Sequence, residues 1–282
     1  FALSAPIHKP SRYTLITDSR EQVDCRYLFP GYYNHVTKLN SGDYSISPYE
    51  NLVSIERKEI NDLINTLIRG RERFQNELER LRTYEAKCVV VESLFSSPLA
   101  GNYVSQALPQ SIEGLIFSAS YNYKIPFFFF ESFELSNRFT QKYLLCYARK
   151  KENNYNFPAP AKPLELRLED TVLTYSLSDF IKEITTNKTD FKFYINQLKA
   201  YKSTAVVLQC NYSDVINKIV NNTNIEDVVV SLVVDHGINV YFMESKEIAQ
   251  QWINSHLKRY RPVEVKEKKE RKKALSCRLK GR

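Results

Sequence analysis

The chain has 282 residues, 43% of them hydrophobic and 26% charged, with a formal net charge of +8. A chain of this size buries a real core without disulfide or metal staples, and it contains no apolar run approaching the ~20 residues of a membrane helix. The basic excess suits a polyanionic partner, nucleic acid before membrane.

The opening residues, Phe-Ala-Leu-Ser-Ala-Pro, lack the charged start and long apolar core of a secretion signal, so the cytosol is the expected compartment, or the nucleoid or nucleus for a chain that handles DNA. Tyr13–Thr17 reads as a short strand ending at Asp18, and His35–Leu39 as a second extended stretch. The Ser41-Gly42-Asp43 turn then leads into a strand over Tyr44–Ser47. Pro48-Tyr49-Glu50-Asn51 is a turn by composition, with Leu52–Arg57 as the hairpin partner. After it the period changes. Leu63, Ile64, Leu67, Phe74, Leu78 and Leu81 recur at helical spacing, which predicts one long helix with a weak point at Gly70. Cys88–Val91 is a fully apolar strand of the kind buried on both faces. A helix over Ser111–Tyr123, a strand over Ile125–Phe130 and a helix over Glu134–Arg149 close the unit. The fold class is α/β, a mixed central sheet flanked by helices.

Lys151–Pro163 reads as a linker because prolines crowd its end. Beyond it the pattern repeats. An offset of 117 residues sets Asp179 on Asp62, Ile181 on Ile64, Phe191 on Phe74, Leu198 on Leu81, Tyr201 on Tyr84 and Val206-Val207 on Val89-Val90. Glu244-Ser245 follows Glu131-Ser132 at 113, a loop four residues shorter accounting for the change. The expected organisation is a nuclease-like domain over 10–150, a linker over 151–163, a second, degenerate α/β copy over 164–260 and a basic tail over 261–282. Dense like charge makes that tail a loosely ordered arm, equally a DNA grip or a localisation signal.

The five cysteines (Cys25, Cys88, Cys146, Cys210 and Cys277) form no C-x-x-C pair, and no histidine spacing accompanies them, which argues against zinc and against a disulfide framework. The chemistry gathers elsewhere, in Gly42-Asp43-Tyr44, Ile55-Glu56-Arg57-Lys58 and Asp62. Asp43 and Glu56 lie on the two arms of the hairpin, so their carboxylates meet at one edge. Two close carboxylates favour a hard divalent cation, Mg²⁺ or Mn²⁺. Lys58, two residues after Glu56, shares its face of the strand and can steer a water. Arg57 points the other way, to brace the loop or reach a phosphate. Asp62, near the start of the next helix, either interacts with the helix N-terminus or organises Arg57 or Lys58. Gly42 permits the bend that brings Asp43 inward.

This ordered set resembles the signature of the XPF/MUS81 (ERCC4-type) nuclease family, within the restriction-endonuclease-like fold: a Gly-Asp, a variable hairpin, Glu-Arg-Lys, three residues, then Asp. Asp18-Ser19-Arg20-Glu21 resembles the family's first acidic motif, and Arg69-Gly70-Arg71 its basic turn; the likeness runs to about Arg149 and is nearest the compact bacterial and phage members. The resemblance implies Mg²⁺-dependent hydrolysis of DNA phosphodiesters, in repair, recombination or the processing of branched or nicked DNA. It implies Asp43 and Glu56 as metal ligands, Lys58 at the attacking water, Asp18 as a further acid, and Arg57 and Asp62 in support. Arg20, Arg69, Arg71 and Arg73 are candidates for phosphate contacts. The glycine-rich helical hairpins that many members add are not expected here, since the chain has only seven glycines, which weakens the expectation of a branched-DNA preference. In the second copy Leu173 falls on Glu56 and Tyr175 on Lys58, so that half is expected to be a non-catalytic partner, making the chain an intramolecular pseudo-dimer; a homodimer is the other arrangement that the family suggests. The rival function is a DNA-binding scaffold of the same fold without activity.

Overall fold

The computed structural model describes residues 12–153, 172–198 and 204–260. Most of the linker, Tyr201 and the basic tail lie outside the described residues.

Six strands form the main sheet: β1 (Thr14–Asp18), β2 (Tyr33–Thr37), β3 (Tyr44–Ser47), β4 (Val53–Glu59), β5 (Ala86–Glu92) and β6 (Phe127–Phe130). Their order is β2-β1-β3-β4-β5-β6. The β1–β3 and β3–β4 pairs are antiparallel, whereas β1–β2, β4–β5 and β5–β6 are parallel. The mixed sheet follows from the connections: a short turn joins β3 to β4, a loop with one 3-10 turn runs from β1 to β2, and α-helices link β4 to β5 and β5 to β6 and follow β6. Those helices are α1 (Ile60–Ile68), α2 (Arg71–Arg82), the short α3 (Ser96–Ala100), α4 (Pro109–Tyr123) and α5 (Phe133–Glu152).

The helical run after β4 is two helices, because the chain breaks at Gly70, which caps α2. Each buries the expected stripe: Leu63, Ile64 and Leu67 on α1, and Phe74, Leu78 and Leu81 on α2. Pro109 opens α4, where its missing N–H costs nothing. Ser132 caps α5, its Oγ accepting from the Leu135 N–H at 3.3 Å. Strand β5, flanked by β4 and β6, is buried from Cys88 to Val91, as its unbroken apolar run requires. The strand predicted over 35–39 begins two residues earlier and is the edge β2, its residues nearly all exposed.

The second half builds a smaller parallel sheet, ordered β11-β8-β7, from β7 (Val172–Ser176), β8 (Ala205–Gln209) and β11 (Asn239–Phe242). Helices α6 (Leu177–Thr185) and α7 (Lys188–Leu198) join β7 to β8. A small hairpin, β9 (Ile219–Val220) and β10 (Thr223–Asn224), leads into α8 (Ile225–Val234), and α9 (Lys246–Tyr260) follows β11. Glu56 on β4 lies opposite Val89 on β5, and 117 residues on Leu173 lies opposite Val206. Val89 pairs with Phe127, and Val206 pairs with Val240, 113 residues beyond Phe127.

The two sheets adjoin through β6 and β11, with α5 against α8 and α4 against α9. Phe128 and Tyr241 meet there with ring centroids 5.6 Å apart. Polar contacts at this junction come in matched pairs. Glu131 Oε1 accepts from the Ser213 N–H at 3.1 Å, and Glu244 Oε1 from the Ser96 N–H at 3.1 Å. Arg138 donates twice to the fully buried Glu226, at 2.7 Å each, while Gln251 and Ser255 donate to Glu113 at 3.3 and 2.6 Å.

Candidate active site

The site grows out of the β3–β4 hairpin. Tyr44 pairs with Ile55, which sets Asp43 beside Glu56 at the open end. The Asp43 N–H donates to Ile55 O at 2.8 Å, and the Arg57 N–H donates to Asp43 Oδ2 at 2.8 Å, so the main chain of β4 fixes the first carboxylate. Gly42 makes this approach possible. Its φ is +75°, and a Cβ there would stand 2.1 Å from Ser54 Oγ.

Glu56 is only 2% exposed. Its Oε1 accepts from Lys58 Nζ, and its Oε2 is buried with no protein partner. Burial pushes the Glu56 carboxyl well above its usual range, and Asp43 adds to that. Asp43 is pushed up to about 7 by burial and then by Glu21. Lys58 moves the opposite way from what burial alone would give: Glu56, Glu77 and Asp43 hold its ammonium protonated. The expected face-sharing of Glu56 and Lys58 is therefore present.

Arg57 leaves the other face of β4. Its guanidinium grips Glu92 through Nε and Nη2 at 2.7 and 2.6 Å, reaches Glu21 at 3.1 Å, and lies 5.8 Å from the rings of Tyr27 and Phe133. Of its two expected roles, bracing is the one the geometry displays. It ties β4 to β5 and to the segment after β1.

Residues 17–143 match the ERCC4 domain family model. They form an ERCC4 domain. Such domains are typically metal-dependent nucleases, and membership implies a DNA endonuclease role. A solved structure, XPF from Aeropyrum pernix, is similar at 19% identity and a TM-score of 0.39, covering 50% of this chain and 68% of that one. A search of curated proteins finds no match.

Within the ERCC4 domain, Asp18 is engaged by protein donors, and Asp62 takes the first of its two expected places, at the start of a helix. Asp18 is 1% exposed and its carboxylate is spoken for: it accepts from the Leu39 N–H at 2.6 Å and from Arg20 N, Nε and Nη2 at 2.7, 2.8 and 2.9 Å. Burial opposes its ionisation, but these donors prevail and lower its pKa. It works as a strut joining β1 to the Leu39 turn. Asp62 is exposed in the first turn of α1, where its N–H donates to the capping Glu59 at 3.3 Å; Arg57 and Lys58 are engaged by other acids. Arg20 is occupied with Asp18, while Arg69, Arg71 and Arg73 stand exposed around the α1–α2 junction.

Three acids escaped the sequence reading: Glu21, Glu77 and Glu92. Glu21 had a signal, the second acid of Asp18-Ser19-Arg20-Glu21. Glu92 ends β5 and Glu77 lies on α2, and only the tertiary fold brings them to Arg57 and Lys58.

Among the described residues no group of three or more His, Cys, Asp or Glu is arranged to hold a metal, and Asp43 and Glu56 are the two acids that could do so together. A pair suits Mg²⁺, which keeps waters and takes one or two carboxylates plus substrate phosphate. The buried, unpartnered Glu56 Oε2 is the feature that fits such an ion, since an orphan acceptor there is otherwise costly.

Proposed function

We propose that the chain is a divalent-metal-dependent DNA endonuclease that hydrolyses phosphodiesters at the Asp43–Glu56–Lys58 cluster. The observation that carries this is Glu56: a buried carboxylate with one oxygen on Lys58 and the other without a partner. Asp43 and Glu56 would hold Mg²⁺ or Mn²⁺, which supplies Lewis acidity toward the phosphate ester. Glu56, Glu77 and Asp43 favour the Lys58 ammonium, which would orient the attacking water and offer positive charge to the phosphate. Arg57, clamped by Glu92 and Glu21, keeps β4 rigid beneath these groups. The exposed Arg69, Arg71 and Arg73 offer phosphate contacts along the approach, and repair, recombination or the processing of branched or nicked DNA is the setting in which such an activity belongs.

We infer further that the restriction-endonuclease-like unit over 10–150 is followed by a degenerate copy over 164–260, joined by the linker 151–163 and ending in the basic tail 261–282. Equal strand registers and the matched contacts at the junction support this reading. At the positions of Glu56 and Lys58 the second half has Leu173 and Tyr175, so it serves as a non-catalytic partner.

Plasmid nicking with Mg²⁺ tests the activity. Glu56→Ala and Lys58→Ala are each expected to lower the rate by about 10²–10³-fold, the scale on which one preorganised charge acts. Nicking that is absent from wild type and mutants alike, with DNA binding intact, favours the inactive scaffold. A pH series adds a second check. Asp43 with a pKa of about 7 carries a proton in acid, so calorimetric Mg²⁺ affinity should rise from pH 6 to pH 8.

A further inference from the structure

Glu77 lies on α2, on the helix whose Phe74 ring sits 5.6 Å from Lys58 Nζ. Its Oε2 is 4.0 Å from that same ammonium, and its side chain is 24% exposed. Its negative charge also acts on Asp43, Glu56 and Arg20, so it overlooks the whole cluster. Lys58 therefore has two anionic neighbours, Glu56 in contact and Glu77 one short step away.

These two acids cannot serve the ammonium equally throughout a reaction. When a doubly charged cation sits on Glu56 Oε2, it draws charge away from the Oε1 that Lys58 holds and repels the ammonium at close range. An ammonium on a flexible four-carbon stem, in a largely buried setting, then needs another acceptor or swings free. Among the described residues Glu77 is the other acid within ion-pair distance of Lys58.

We propose that Glu77 is a positioning residue that takes up the Lys58 ammonium when a divalent cation occupies Glu56, and so aims it at the attacking water. This rests on the endonuclease reading for its consequence but not for its physics, because the transfer between acids needs only the metal. Glu77 touches neither the cation nor the phosphate in this account.

The full chain with ¹⁵N-labelled lysine tests it, the Lys58 signal being assigned by its loss in Lys58→Arg. In the wild type, Mg²⁺ alone should move the Lys58 Nζ signal to a second sharp position. In Glu77→Gln, Mg²⁺ should instead broaden it into solvent exchange, while the Mg²⁺ Kd changes by less than about 3-fold. On DNA, kcat should fall by about 10–100-fold, the range for a residue that orients an active group from behind. KM should hold and Glu77→Asp should recover part of the loss. An unchanged Lys58 signal and unchanged kcat in Glu77→Gln would overturn the proposal, as would a wild-type Lys58 signal that Mg²⁺ does not move. If Mg²⁺ moves that signal as described but the wild type cuts no DNA, the positioning role stands and the endonuclease reading falls.

Discussion

The two halves of the chain share a frame and differ in what they hang on it. In the first, β4 brings Glu56 and Lys58 to the α2 side; in the second, β7 carries Leu173 and Tyr175 at the matching registers. Each strand then runs into a helix whose first turn contains an aspartate, Asp62 or Asp179, behind a capping side chain, Glu59 or Ser176. The half without the acidic pair retains this aspartate. With or without the acidic pair beside it, an aspartate at that place faces the positive end of the helix dipole. A strand–helix–helix–strand frame therefore needs its caps and its apolar stripe, and it does not need the carboxylate pair.

The strongest way to break the comparison is to separate the halves. In the intact chain Arg138 meets Glu226 while Gln251 meets Glu113. Two first halves facing each other would place Arg138 and Lys142 against Glu113 on both sides. Residues 12–153 alone are therefore expected to self-associate, with a doubled mass by light scattering. Residues 154–282 would set Gln251 and Ser255 against a buried Glu226 and should not pair in this way. A monomeric first half with full nicking activity would remove the need for the second.

Next in size is the inequality at the junction itself. Arg138→Ala strips the main cation from a carboxylate with no exposure and should cost about 3 kcal/mol in urea unfolding, with Lys142 and Tyr212 left as partners. Gln251→Ala, on the matching contact, should cost under about 1 kcal/mol. Equal losses would mean that the two sides are energetically alike.

The smallest effect sharpens the aspartate argument. Asp62→Asn and Asp179→Asn should each lower stability by about 0.5 kcal/mol, with nicking retained in both. Loss of nicking in Asp62→Asn alone would return that residue to the chemistry.

Much of this was legible from local pattern. The hairpin, the buried β5, the helix over α4 and the Asp43–Glu56–Lys58 trio follow from period and spacing, because strand alternation alone puts residues 56 and 58 on one face. The constant offset was legible too, since Phe191 and Leu198 keep the stripe of Phe74 and Leu81. What stayed hidden depends on distance along the chain. Glu92 lies 35 residues from Arg57 and reaches it only through the parallel β4–β5 pairing. The surroundings of Asp18 were hidden because an acid at a strand end looks the same whether it faces a metal or accepts N–H groups; its four donors become visible only when Leu39 and Arg20 fold over it.

The hairpin has a practical consequence. Asp43 is anchored at the open end by main-chain bonds to Ile55 and Arg57, whereas Glu50 and Asn51 sit at the closed tip, several residues away along both strands. A fluorophore carried at Glu50 would report on the protein from a place remote from the acids, whereas one at Asn51 would break its bond from Asn40 beside the Leu39 turn.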